Sequence, residues 1–290
     1  MKCTLCPRAC SIERAEYEGK GVCGVGTLPK IARAGLHFDE EPVISGNGGS
    51  GTVFFSGCQL KCVFCQNYAV SHEAFGKTVT VERLKEIYKE LIHQGARNIN
   101  LVSASHYVPA VLESLKEKPP VPVIWNSSGY EKIETIRLLK GKADVYLPDF
   151  KYAMKAPAKK YSLAEDYFEY ASRAIAEMLD QTGPVVLNEE GNIQKGVIIR
   201  HLILPGQVEN SKRVLDYIKA HFEGAWVSLM AQYVPMGNAE KYPEINRRIT
   251  EEEYDEVVDY MLDLGLEDGF IQEMESADSK YTPAFDLTGV

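Results

Sequence analysis

"SGCQLKCVFCQNY" (residues 56–68) places Cys58, Cys62 and Cys65 within eight residues. A closed tetrahedral metal site takes four protein ligands, and this loop offers three. Just upstream, "TVFFSG" (52–57) has the form of a short buried strand. Downstream, "TVERLKEIYKELIHQG" (80–95) reads as an amphipathic helix. Val81, Leu84, Ile87, Leu91 and Ile92 share one face, Thr80 can cap the start, and Gly95 can end it. The three thiols therefore sit in a strand-to-helix loop, the edge where βα proteins place their chemistry.

The same rhythm runs on. Strands are predicted over 98–103, 121–126, 143–150, 196–206 and 225–230, with one more short strand over 269–274. Helices are predicted over 108–117, 131–141, 162–183 with Ser162 as N-cap, 209–222, and 250–265 behind a Thr-x-x-Glu capping box. Strands alternating with helices predict parallel pairing in an α/β fold. Eight βα units close an ordinary barrel. Six good strands predict a partial (β/α)6 TIM-type barrel, or an open parallel sheet. Residues 1–50 look irregular and end in the turn-forming "SGNGGSG" (45–51). The expected division is a cysteine-rich, metal-binding segment over 1–50 and a barrel core with a C-terminal cover over 51–290.

Composition narrows the class. The 290 residues are 45% hydrophobic and 25% charged, with net charge −9 and pI near 5.3. That balance suits a soluble globular protein. It lacks the clustered Lys and Arg that neutralise nucleic-acid phosphates. No signal-peptide shape and no long apolar span are legible, so the expected location is the cytoplasm, away from membranes. Thiols are kept reduced there. All seven cysteines fall in two clusters: Cys3, Cys6, Cys10 and Cys23, then Cys58, Cys62 and Cys65. Such clustering points to metal rather than to scattered core packing.

The second cluster has spacing C-x3-C-x2-C, with no further C-x2-C pair to complete a zinc ribbon. Three thiolates suit a [4Fe–4S] cluster with one iron left open, as a catalytic zinc keeps one open position. The first cluster has four thiolates. They allow either a closed structural Zn or a fully ligated [4Fe–4S] cluster, and spacing does not decide it. A structural metal staple is the simpler reading of that segment.

"GCQLKCVFCQN" resembles the signature of the radical S-adenosylmethionine (SAM) superfamily, with the aromatic Phe64 just before the third Cys. Asn67, two places after it, is similar to the activating-enzyme branch. The resemblance implies a partial (β/α)6 barrel, SAM chelated to the open iron, and reductive C–S cleavage to a 5′-deoxyadenosyl radical that abstracts hydrogen. "DVYLPDFK" (144–151) is similar to the strand ending in Asp-Leu-Lys of pyruvate formate-lyase activating enzymes, which implies Asp149 and Lys151 at SAM. "IRHLILPG" (199–206) resembles their later strand, with Arg200 and His201 as matches. "WNSSG" (125–129) is similar to a short segment that lies near SAM in relatives, which implies Asn126 and Ser127 there. The whole pattern, with "LCPRAC" included, looks like a less characterised branch of activating-enzyme-like proteins. It departs from relatives at the second strand, where "NINLVSASHY" stands in place of Gly-Gly-Glu. The SAM amino group is then expected on a hydroxyl, an imidazole or backbone carbonyls, which singles out Ser103, Ser105 and His106.

The expected activity is hydrogen abstraction by a radical SAM oxidoreductase, with a glycyl radical enzyme as one candidate protein substrate. An external one-electron reductant such as flavodoxin or ferredoxin is implied. The alternatives are radical SAM modification of a small molecule or peptide, and a non-catalytic metal-binding or electron-transfer module. "KYAMKAPAKKY" (151–161) reads as a solvated loop or a docking patch for an acidic partner. "LMAQYVPMGNAEKYP" (229–243) reads as a cover over the substrate or a packed C-terminal lid.

Overall fold

In the computed structural model, residues 2–276 and 283–290 are described. The strands are β1 (Lys30–His37), β2 (Ser50–Phe55), β3 (Lys77–Thr78), β4 (Ile99–Val102), β5 (Val123–Ser127), β6 (Val145–Pro148), β7 (Val186–Leu187), β8 (Ile193–Leu202), β9 (Trp226–Met230) and β10 (Gly269–Ile271). The helices are α1 (Pro42–Ser45), α2 (Tyr68–Ser71), α3 (Val81–His93), α4 (Val108–Ser114), α5 (Ile133–Leu138), α6 (Lys155–Ser162), α7 (Tyr167–Thr182), α8 (Val208–His221) and α9 (Glu251–Asp263). The main sheet runs β10-β9-β8-β6-β5-β4-β2-β1-β3. From β2 to β10 every neighbouring pair is parallel. Within that stretch the spatial order follows the chain order without reversal. Right-handed crossovers then carry each connecting helix to the same face of the sheet.

Alternation along the strands divides the core in two. Val53, Phe55, Leu101, Trp125, Tyr146, Ile199 and Leu229 join helix residues such as Leu84, Ile87, Ile175, Val214 and Val257 in the larger core. Ile124, Val145, Leu147 and Ile198 point the other way, and with Ile193 and Ile44 of the short helix α1 they form a smaller cluster on the opposite face. Capping chemistry follows the expectation at two helices. Thr80 Oγ1 accepts from the Arg83 N–H, and Thr250 with Glu253 closes a capping box at α9.

The six expected strands are β2, β4, β5, β6, β8 and β9, and the short seventh is β10. Three local expectations change. Residues 1–50 are not all irregular, because Lys30–His37 pairs antiparallel with β2 inside the sheet. The expected boundary at residue 50 thus falls within the sheet. The lysine-rich stretch is helix α6 rather than a loop. Ser162 ends that helix instead of capping the next: Leu163 takes a left-handed φ of 50°, and α7 starts at Tyr167. Among the described residues, no helix is long and apolar enough to cross a membrane.

Candidate active site

A cavity of about 500 Å³ opens at the C-terminal ends of the parallel strands. Cys58, Cys62 and Cys65 line it together. The loop that carries them is held open by backbone geometry. Gly57 has φ 82°, and a Cβ there would lie 2.6 Å from the Cys23 carbonyl oxygen. Only glycine combines that conformation with that approach.

Each of the three sulfurs has a donor from the chain. Ser162 Oγ donates to Cys62 Sγ at 3.1 Å, Ser71 Oγ to Cys65 Sγ at 3.2 Å, and the Leu60 N–H to Cys58 Sγ at 3.4 Å. Burial pushes the free Cys62 thiol up to about 12, while Lys151 and Ser162 pull it down. A thiolate bound to iron needs those donors, since hydrogen bonds to sulfur tune an iron–sulfur site. The donor set therefore fits a cluster bound by three cysteines. Ser162→Ala is expected to make such a cluster harder to reduce, by about 30–60 mV, in a redox titration followed by electron paramagnetic resonance (EPR). A potential that did not move would remove Ser162 from this role.

Phe64, Asn67, Ser103, Asn126, Ser127, Asp149, Lys151 and Arg200 line the same cavity. Asp149 and Lys151 form an ion pair of 2.6 Å. Burial lowers the Lys151 pKa most strongly, but the Asp149 charge and hydrogen bond, together with the nearby Cys62 and Cys65 sulfurs, outweigh it and hold the ammonium above its ordinary value. Tyr167 fixes the loops around this pair. Its hydroxyl lies 2.8 Å from the Ser128 carbonyl oxygen, 2.9 Å from that of Asp149, and accepts from the Lys151 N–H at 3.0 Å. Ser103, the residue after β4, has φ 60°, the left-handed backbone that favours glycine. Its N–H donates to the Asn126 carbonyl at 2.8 Å. The cover loop contributes Met230, Gln232, Tyr233 and Val234, and Tyr233 packs edge-on against Phe64.

Ser105, His106 and His201 lie outside the cavity lining. Strand alternation turns His201 away from Arg200, into the helix side. There Nδ1 meets the Phe150 carbonyl at 2.7 Å and Nε2 meets Ser211 Oγ at 2.9 Å. Burial lowers its pKa to about 4, which keeps the ring neutral. Ser105 hydrogen-bonds Glu131, a fully buried carboxyl that burial raises to about 7. His106 Nε2 lies 2.8 Å from the Ser56 carbonyl. Arg200 reaches the cavity but is already engaged. Nε contacts Glu41 Oε1 at 2.8 Å, Nη2 contacts Glu41 Oε2 at 2.5 Å, and Glu40 is paired as well. Burial opposes the charge on Glu41, and Arg200 outweighs it, so the carboxyl lies below its usual range. Nothing in "HFDEEPVISG" signals a partner 159 residues away.

The first cysteine cluster sits elsewhere. Cys3, Cys6, Cys10 and Cys23 line one enclosed cavity, together with His106. Arg8, from "CPRAC", ties this segment to the active-site loop. Its guanidinium donates to the carbonyls of Gln59 (2.9 Å), Leu60 (3.2 Å) and Ser162 (2.8 Å), and also to that of Leu163.

A model of a "4Fe-4S single cluster domain" matches residues 44–146. An uncharacterized protein of Methanocaldococcus jannaschii is 34% identical over 277 residues, which is 90% of this chain and 76% of that protein. Among solved structures, spore photoproduct lyase superposes with a TM-score of 0.52 at 12% identity, over 82% of this chain and 79% of that one. Streptococcus suis SuiB bound to S-adenosylmethionine gives a TM-score of 0.44 at 13% identity, over 75% of this chain and 48% of that one.

Proposed function

The chain belongs to one family with the uncharacterized protein of Methanocaldococcus jannaschii, and we propose that it is a radical SAM enzyme with a [4Fe–4S] cluster and SAM that abstracts hydrogen from a substrate admitted to the 500 Å³ cavity. When bound, the cluster and SAM supply reductive cleavage of the sulfonium and a hydrogen-abstracting radical. The observation that carries the reading is the convergence of the three Cys sulfurs, each with its own donor, on the cavity that holds the Asp149–Lys151 pair.

The chain's own residues divide the remaining work. We read the parallel sheet as a partial (β/α)6 barrel whose lumen is the face opposite the long connecting helices. Cys58, Cys62 and Cys65 hold the cluster. Lys151 offers an ammonium to the SAM carboxylate, since Lys binds such groups as a point charge. Ser103, Asn126 and Ser127 offer hydroxyl, amide and carbonyl groups to the amino and ribose groups, in place of the absent Gly-Gly-Glu. Phe64 and Tyr233 exclude water beside the cluster. A cavity of this size is an ordinary cofactor pocket. With SAM inside, the space left suits a small molecule or an extended loop, the way a glycyl loop would enter, and no folded domain. An external one-electron reductant completes the cycle.

Anaerobic reconstitution, followed by dithionite and SAM, is expected to yield 5′-deoxyadenosine. No product above the cluster-free control would overturn the reading. Lys151→Met is expected to weaken SAM binding at least about tenfold in equilibrium dialysis, as loss of one partner of a buried charged contact does. An unchanged Kd would take Lys151 out of the SAM site.

A further inference from the structure

We propose that Lys61 is the built-in counter-cation of the [4Fe–4S] cluster, a fixed charge that makes the cluster easier to reduce. The inference rests on the reading of Cys58, Cys62 and Cys65 as the cluster's ligands. Lys61 stands inside that loop, one residue before Cys62. It does not line the cavity, so its side chain holds neither SAM nor substrate.

The side chain has a fixed place. Lys61 has φ 57°, a left-handed backbone that costs a residue with a Cβ. Its Nζ donates to the Ser71 carbonyl at 2.6 Å and lies 3.4 Å from that of His72. Ser71 is also the residue whose hydroxyl donates to Cys65 Sγ at 3.2 Å. One ammonium therefore ties the stretch between the first two cysteines to the stretch that follows the third.

The charge itself has no anionic partner in the chain. Lys61 is half-buried, and the two groups it meets are neutral carbonyls. Among the described residues no carboxylate pairs with it, whereas Lys151 is matched by Asp149 at 2.6 Å. The negative charges that reach Lys61 are those of Cys58, Cys23 and Cys65. A half-buried cation without an anion is costly. Three thiolates outweigh the charge of an oxidised cubane core, and reduction adds one more negative charge. Attraction grows with charge, so an ammonium that nothing else neutralises favours the reduced state over the oxidised one. Net charge is one of the levers that set cluster potentials. The Asp149–Lys151 pair also faces this loop, but as a pair it is neutral and pulls less.

The test is a redox titration of the anaerobically reconstituted full-length chain, followed by EPR without SAM. Lys61→Met is expected to lower the equilibrium constant for one-electron reduction at least about tenfold, which is about 59 mV. Lys61→Arg keeps the charge and is expected to stay within about threefold of the unaltered chain. An unmoved potential in Lys61→Met would overturn the proposal. So would an equal fall in Lys61→Arg, since the shape of the side chain and not its charge would then be responsible. Should Lys61→Met take up no iron, Lys61→Gln takes its place under the same two criteria. Iron and sulfide content tells the two possible failures apart. An unaltered chain that takes up no cluster sinks the reading of the three cysteines, whereas a full cluster with an unmoved potential sinks only the role of Lys61.

Discussion

Replacing Cys65 with alanine is expected to abolish 5′-deoxyadenosine formation, a fall of at least about 10³-fold, because the cofactor and not the protein carries the hard chemistry. Cys58→Ala and Cys62→Ala are expected to match it. The three sulfurs act as one unit, so a second substitution on top of the first should cost little more. The same reconstitution should show the iron count falling while the fold survives, since Cys62 is one small member of a large core that includes Val53, Phe55, Leu101 and Trp125, and Cys58 and Cys65 only pack against its edge. Circular dichroism checks the fold. A Cys65→Ala chain that still made the product at a tenth of the normal rate would end the assignment of this loop as the SAM cluster site.

Arg200→Met is expected to destabilise the fold by about 3–5 kcal/mol in an anaerobic denaturant titration. The Arg200, Glu40 and Glu41 side chains are 12%, 9% and 6% exposed. Two carboxylates lean on one guanidinium, and Asn100 Nδ2 adds a 2.9 Å hydrogen bond to Glu40. Removing the cation leaves two largely buried acids with no counter-charge. The companion variant Glu41→Gln should cost less, because Arg200 keeps Glu40. A loss below about 1 kcal/mol for Arg200→Met would mean that water reaches the trio freely.

Much of this was written in the chain at short range. The three-Cys loop and the six strands follow from spacing and periodicity, while Asp149 and Lys151 are singled out by resemblance to the activating enzymes. What the sequence concealed depends on distant partners. Strand β1 carries Lys30 and Arg33, so its apolar alternation is broken, and only pairing with β2 identifies it. Helix α6 contains Pro157 and several lysines, which read as loop until its buried face, Ala158 and Tyr161, meets the core. His201 and Arg200 are adjacent in sequence, yet the pleat sends them to opposite faces. Arg200 goes to the cavity floor and His201 to the helix layer. A family resemblance assigned both to the cofactor, and only the backbone separates them.

The Arg8 anchor has a consequence for the order in which the protein can be made. Its carbonyl partners lie between 51 and 155 residues further along the chain. At ribosomal speeds of about 5–20 residues per second, Ser162 emerges on the order of ten seconds after Arg8. During that interval the four N-terminal thiols have no wall to close against, and the Gly57 loop that receives Cys23 has no brace. The N-terminal segment is therefore fastened only after the middle of the chain has been made.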